Sequence, residues 1–184
     1  MTRLVIASMV LMTLTISLFA GDCVTWRNAD SSALLVQAPA ALQPNSLCAR
    51  DERIIFSCPI KRPAKLVSVC ASKDLTSERG YIQYRFGLPA KVELEFPKER
   101  NGSQQKFQYS HYFRAQVDLT EISFTVNGYE YQVTDDYNGE EKPAQTTQGV
   151  MVTAPGKPKE VGLACRIKPK ADYTDLQAVL PTSQ

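Results

Sequence analysis

Residues 121–134 read EISFTVNGYEYQVT, and this stretch decides the fold class of the chain. Asn127 and Gly128 tolerate the positive φ angles of a type I′ turn, which joins two antiparallel strands through a two-residue loop. The turn sets the register, in which the apolar pairs are Ile122 with Val133, Phe124 with Tyr131, and Val126 with Tyr129. A slip by one residue would turn this apolar face to water, so the register is strongly specified.

Further hairpins are predicted on both sides of this one. Residues 150–165 pair Val152 with Val161 around a PGKP loop, and residues 53–58 pair with 65–70 so that Cys58 faces Val67. The runs GYIQYRF and KVELEF form a third hairpin through the loop at 87–89. There the register that places Arg85 opposite Glu93 is favoured, because opposite charges attract across a strand pair.

Short strand-like runs with turn residues between them are typical of an antiparallel sandwich or small barrel. We therefore predict one all-β domain of about eight or nine strands over residues 53–166. Residues 106–117 are expected to form its longest strand. An irregular N-terminal arm (21–52) precedes the domain, and a flexible C-terminal tail (167–184) follows it.

Residues 1–20, MTRLVIASMVLMTLTISLFA, have the form of a cleaved signal peptide. Arg3 precedes an apolar run that ends at small Ala20, which is the pattern of a secretory leader. The run is shorter than the roughly 20 residues of a membrane helix, so no retained anchor is expected. The mature protein is predicted to be periplasmic or secreted, and not an integral membrane protein.

The charge balance argues against nucleic acid as a partner. The formal net charge is only +2, whereas nucleic-acid binding depends on neutralising phosphates with Lys and Arg. No cofactor or metal is predicted, because a single histidine and the lack of a Cys-x-x-Cys pair do not suit zinc. The stretch DDYNGEE (135–141) is interpreted as a solvated turn, with calcium binding as the alternative.

Five cysteines in an exported chain are expected to form disulfides and leave one over. A Cys23–Cys48 bond is predicted to close the N-terminal arm. In the predicted hairpin Cys58 and Cys70 are about 10 Å apart along the strands, beyond the roughly 7 Å that a disulfide spans. Cys165 therefore pairs with one of them, and the other is a spare thiol. Which of the two is spare is left open, with Cys58 taken as the partner of Cys165.

His111 is the one histidine of the chain, so a classical acid–base site would need it. Ser110 and Asp118 have the opposite strand parity from His111, which places them on the other face of a regular strand. We therefore interpret His111 as a half-buried residue on an aromatic face and predict no enzyme. The alternative is a periplasmic hydrolase that uses His111 or a free thiol.

Residues 70–87, CASKDLTSERGYIQYRFG, resemble a family of exported bacterial β-rich proteins without an assigned activity, over about residues 53–165. Ser77–Tyr81 also resembles the loop that periplasmic lysozyme inhibitors insert into the lysozyme cleft. The resemblance implies a binding site of Ser77, Arg79 and Tyr81, and Lys61 and Arg62 could also face the acidic pair of that cleft. The predicted function is an exported, non-catalytic binding protein of the bacterial envelope, with lysozyme or an envelope protein as its partner.

Overall fold

The computed structural model describes residues 41–182, which form two five-stranded antiparallel sheets. The first sheet has the order β10-β1-β2-β3-β4 and the second the order β5-β6-β7-β8-β9. The strand bounds are β1 Glu52–Pro59, β2 Leu66–Ser72, β3 Ile82–Leu88, β4 Lys91–Phe96, β5 Gln108–Arg114, β6 Val117–Val126, β7 Tyr129–Asn138, β8 Gln145–Thr153, β9 Glu160–Ala164 and β10 Lys170–Ala171. The predicted all-β sandwich is confirmed.

The core lies between the two sheets and is centred on aromatic rings. The ring of Phe124 on β6 stacks against Tyr131 at 5.0 Å and against Phe96 at 5.2 Å, and it contacts Tyr84 of the first sheet at 4.8 Å. Alternating side chains of each strand reach this core, as the period of two requires. Aromatic pairs at these distances add to the stabilisation from apolar burial.

Three of the predicted registers are confirmed. Ile122 pairs with Val133 across β6 and β7, and Val152 pairs with Val161 across β8 and β9. Cys58 on β1 faces Val67 on β2. In each case the turn chemistry and the apolar pattern agree, which is why the sequence specifies the pairing.

The predicted register of β3 and β4 is wrong. Arg85 lies opposite Glu95 rather than Glu93, and the ladder shifts between Phe86 and Gly87. Gly87 has a φ of 145°, and a Cβ there would come within 2.5 Å of the carbonyl oxygen of Lys91. This glycine therefore permits a bulge that the strand pattern alone does not show.

The predicted long strand 106–117 is also wrong. Strand β5 ends at Arg114, and a two-residue turn at Ala115 and Gln116 leads directly into β6. Gln116 adopts a φ of 63°, which a residue other than glycine rarely does. The structure has ten strands among residues 41–182, where about eight or nine were expected, and β10 lies in the segment that was predicted as a tail.

The C-terminal segment is docked, which corrects the prediction of a flexible tail for residues 167–182. Strand β10 pairs with β1, and the short helix α1 (Leu176–Val179) follows it. Leu176, Val179 and Leu180 are buried in the core, with the i, i+3, i+4 spacing of one helix face. No helix in residues 41–182 is long and apolar enough to cross a membrane.

Two disulfides join Cys48 to Cys70 and Cys58 to Cys165. The predicted Cys23–Cys48 bond is therefore wrong, and neither Cys58 nor Cys70 is a spare thiol. Residues 41–51 pack across the outer face of the first sheet, which brings Cys48 above β2 in a small buried cluster with Ile54 and Cys70. Cys23 and the predicted signal peptide lie outside the described residues.

Candidate functional site

The predicted binding residues do not form one site. Ser77, Arg79 and Tyr81 belong to the connection between β2 and β3, whereas Lys61 and Arg62 belong to the connection between β1 and β2. These connections lie at opposite ends of β2, which at about 3.3 Å per residue is roughly 20 Å long. The predicted combination of a serine, a tyrosine and three cations is therefore not assembled on one surface.

The Ser77–Tyr81 loop divides into an exposed tip and a structural end. Ser77 and Arg79 are exposed, and the Gln104 side chain holds the loop by donating from Nε2 to the carbonyl oxygens of Arg79 at 2.9 Å and Thr76 at 3.1 Å. Tyr81 faces inward, where its hydroxyl donates to Glu52 Oε1 at 2.8 Å. The tyrosine that was predicted to bind a partner is thus part of a buried network.

That buried network joins Glu52 to Arg85 beneath residues 41–51. Arg85 donates from Nη1 to Glu52 Oε2 at 2.6 Å and from Nη2 to Oε1 at 2.9 Å, a bidentate pair whose side chains are 8% and 1% exposed. Burial raises the pKa of Glu52, but the hydrogen bonds from Arg85, the Ala49 N–H and Tyr81 outweigh it and leave the pKa below its usual value. Both carboxylate oxygens of Glu52 therefore accept hydrogen bonds from other groups of the protein.

The second sheet presents a different arrangement on its inner face. Cross-strand neighbours form rows, and the row that lines the core is apolar: Tyr109, Ile122, Val133, Val150 and Leu163. The next row towards the β5–β6 turn, here called the first polar row, consists of His111, Thr120, Asp135 and Gln148. The row after that, the second polar row, consists of Phe113, Asp118, Tyr137 and Thr146.

An open cavity of about 680 Å³ lies over the two polar rows. We call it the polar cleft, and its lining residues are Tyr109, His111, Asp118, Thr120, Asp135, Asp136, Tyr137, Thr146, Gln148, Lys168 and Tyr173. Ten-residue strands β6 and β7 extend past the core, whereas the strands of the first sheet have at most eight residues. The C-terminal segment supplies Lys168 and Tyr173 to the cleft.

Hydrogen bonds within the cleft position its charged side chains. His111 Nε2 lies 2.9 Å from Asp118 Oδ1, which contradicts the parity argument that separated these two residues. The turn at residues 115–116 folds the chain back and places Asp118 diagonally across from His111. Gln148 Nε2 donates to Asp135 Oδ1 at 2.6 Å, and the Tyr173 hydroxyl donates to Asp135 Oδ2 at 3.0 Å.

The carboxylates of the cleft influence one another. Burial raises the pKa of Asp136 to about 6, and the negative charges of Glu121, Asp135 and Asp118 act in the same direction. A hydrogen bond from the Thr120 backbone N–H opposes this rise. Burial and the neighbouring Asp135 also raise the pKa of Tyr173, whose hydroxyl therefore stays protonated as a donor.

The structure assigns different roles to the residues considered for metal binding. Asp135 and Asp136 belong to strand β7, so the predicted solvated turn begins only after Asn138. Cys48, Glu52 and Cys70 lie close enough to share an ion. Their sulfurs are bonded to each other and the carboxylate is paired with Arg85, so these three residues form a structural contact.

Comparisons of the chain with family models, with curated proteins and with solved structures found no match. Most of the cleft was not predicted from the sequence. The signal was present in the confirmed hairpin, since continuing its register by two steps pairs Thr120 with Asp135 and Asp118 with Tyr137.

Proposed function

We propose that the protein is an exported, non-catalytic binding protein of the bacterial envelope, and that the polar cleft is its ligand site. Export is supported by the leader-like residues 1–20 and by the two disulfides, which are typical of oxidising compartments. The observation that carries the binding role is the change from apolar to polar rows on one continuous sheet face, with an open cavity above the change.

The charge of the cleft favours a cationic group on the ligand. The lining of the cleft includes three acidic residues, Asp118, Asp135 and Asp136, and two basic ones, His111 and Lys168. Tyr109, Tyr137 and Tyr173 add aromatic surfaces, which attract cations through their ring faces. A basic side chain presented by a partner protein fits this combination.

A titration with two matched compounds tests the proposal. N-acetyl-lysine-N-methylamide carries one cation in a peptide-like frame, and N-acetyl-norleucine-N-methylamide has the same frame without the charge. We expect NMR titration to show saturable shifts in both polar rows with the lysine compound only. Asp118→Asn should weaken this binding about three-fold, as for other half-exposed ion pairs, while Glu160→Gln on exposed β9 should leave it unchanged. Equal binding of both compounds would contradict the proposal.

A narrower version of this role is lysozyme inhibition through the Ser77–Tyr81 loop. It is supported by the exposed Ser77 and Arg79 and by the contacts of Gln104 that hold the loop. Titrating the protein into lysozymes of different types should then reduce muramidase activity, and Arg79→Gln should relieve the inhibition. Full muramidase activity at saturating protein would retire this version.

The alternative of a hydrolase is favoured by one observation, the contact between His111 and Asp118. A thiol mechanism through Cys58 or Cys70 is not open to it, since both sulfurs are in disulfides. Purified protein should be assayed on wall, lipid and peptide substrates. Turnover that His111→Ala abolishes would show that non-catalytic binding is the wrong class.

A further inference from the structure

A second cavity, of about 430 Å³, lies along β8 and β9 and continues into residues 165–168. We call it the β8–β9 groove. Small residues form the floor of the groove. Thr134, Gly149 and Ala164 form one row on the outer face of the sheet, and Gly162 lies opposite Met151. A Cβ on Gly149 would come within 2.1 Å of the Leu163 carbonyl oxygen, so only glycine fits this position.

The groove is lined by cations without a carboxylate among its lining residues. Lys61, Arg166 and Lys168 line it, and all three are exposed. In the part of the chain that the structure describes, no ion pair involves any of them. The backbone of Lys61 and Arg166 is held where the two sheets meet, because Lys61 N–H donates to the Ala164 carbonyl at 2.9 Å and Arg166 N–H to the Pro59 carbonyl at 2.7 Å.

A buried hydroxyl at the groove lacks a partner. Thr134 is 7% exposed and lines the groove. Its Oγ1 is the only buried side-chain nitrogen or oxygen within residues 41–182 that has no hydrogen bond. Leaving a buried polar atom unpaired costs free energy, so such an atom calls for an explanation. Because Thr134 lines the groove, a ligand bound there is a candidate partner for this hydroxyl.

We propose that the β8–β9 groove binds a small organic anion, in which a carboxylate or phosphate head carries a short apolar chain. The head lies among Lys61, Arg166 and Lys168 and accepts a hydrogen bond from Thr134. The chain lies against Met151 and Ile167, which line the same cavity. This site adjoins the polar cleft, since Thr146, Gln148 and Lys168 line both cavities, but its own lining holds no carboxylate. It does not depend on the function proposed for the cleft.

NMR titration of the full mature protein with four probes tests the site. Butyrate and butyl phosphate supply the two heads, inorganic phosphate lacks the chain, and butyramide lacks the charge. We expect saturable shifts at the amides of Gly149, Gly162 and Cys165 with butyrate or butyl phosphate. The difference between these two identifies the head, and inorganic phosphate should bind at least five-fold more weakly.

Variants locate the binding. Thr134→Val removes the hydroxyl in every rotamer and should weaken binding about five-fold, whereas Thr134→Ser should restore it. The double change Lys61→Gln with Arg166→Gln should weaken binding at least ten-fold, and Lys159→Gln, which is exposed but not at the groove, should have no effect. Gly162→Val should block the groove, because its Cβ meets only the flexible Met151 side chain, at 3.2 Å.

Two outcomes of these titrations would contradict the anion site, and one variant serves as its control. Binding that survives Gly162→Val and the double charge change, or butyramide that binds as well as butyrate, would overturn the proposal. Asp118→Asn serves as the control for the polar cleft and should leave butyrate binding intact. If that variant binds the lysine compound more weakly but still binds butyrate, the two sites act independently, and the failure of one proposal can be told from the failure of the other.

Discussion

The Glu52–Arg85 network and the polar cleft both place charged side chains on a sheet, but only one of them is closed. Arg85 contacts Glu52, Glu95, Gln83 and the Leu47 carbonyl, beneath residues 41–51. In the cleft, the His111 and Asp118 side chains are 37% and 50% exposed and face an open cavity. Charged groups that are covered and fully hydrogen-bonded therefore maintain the fold, whereas exposed charges at the end of the core are available to a ligand.

Removing the arginine of the closed network should have the largest effect on stability. Arg85→Met leaves the Glu52 carboxylate, 1% exposed, without its bidentate partner and with only the distant Arg100, 3.8 Å from Oε1, as a cation. We expect the free energy of unfolding to fall by about 3–5 kcal/mol, since breaking one side of a buried pair strands a charge. Urea denaturation measures this, with Arg50→Met on the exposed neighbouring turn as the control. A loss of less than about 1 kcal/mol would mean that the network is not closed.

Opening the cover of the network should have the next largest effect. The Cys48–Cys70 bond closes a loop with a sequence separation of 22 and ties residues 41–51 to β2. Replacing both cysteines with alanine should cost about 3 kcal/mol, because the unfolded chain regains the entropy of that loop. Thermal unfolding of the double variant checks the value. An unchanged midpoint would show that packing alone holds the segment.

A carboxyl of the cleft should behave in the opposite way. The pKa of Asp136 lies at about 6, above its ordinary value of 3.8, so at pH 7 the folded state must hold a charge that burial disfavours. Asp136→Asn should therefore stabilise the protein at pH 7. We expect a gain of only about 1 kcal/mol, because solvent screens the charge of a half-exposed group. The gain should vanish as the pH falls from 6 towards 4, where the folded carboxyl is already protonated. Denaturation at pH 7 and pH 4.5 distinguishes this from a gain that does not depend on pH.

The smallest effect on stability is expected at the exposed pair of the cleft. Asp118→Asn should change the free energy of unfolding by less than about 0.5 kcal/mol, since exposed ion pairs contribute little. The same variant should still lose affinity for the lysine compound. A large destabilisation would mean that Asp118, like Arg85, maintains the fold rather than binds a ligand.

Local pattern and turn chemistry were sufficient to predict the sandwich and the pairs Ile122–Val133 and Val152–Val161. Local pattern and turn chemistry failed where the contact that sets the structure is distant in sequence, or where the turn contains no typical turn residue. Residues 115–116 are Ala and Gln, which carry none of the usual turn signals, so the first strand was predicted to run on to residue 117. The missing turn concealed the contact between His111 and Asp118.

Contacts far apart in sequence explain the other misses. Glu52 and Arg85 are separated by 33 residues, and Cys48 bonds to Cys70 only because residues 41–51 cross the first sheet. Tyr173 and Lys168 reach the cleft from a segment without periodicity, whose position is set by docking of α1 into the core. The pairs Thr120–Asp135 and Asp118–Tyr137 could have been predicted, by extending the register of the hairpin at residues 121–134.

Two glutamines allow the most direct test of this contrast. Gln83 lies in the closed network, 1% exposed, and its Nε2 donates to the Pro97 carbonyl at 2.8 Å. Gln148 lies in the polar cleft and donates to Asp135 at 2.6 Å. Addition of a neutral gadolinium chelate should broaden the side-chain NH₂ signals of Gln148 strongly and leave those of Gln83 sharp. Equal protection of both side chains would contradict the existence of an open polar cleft.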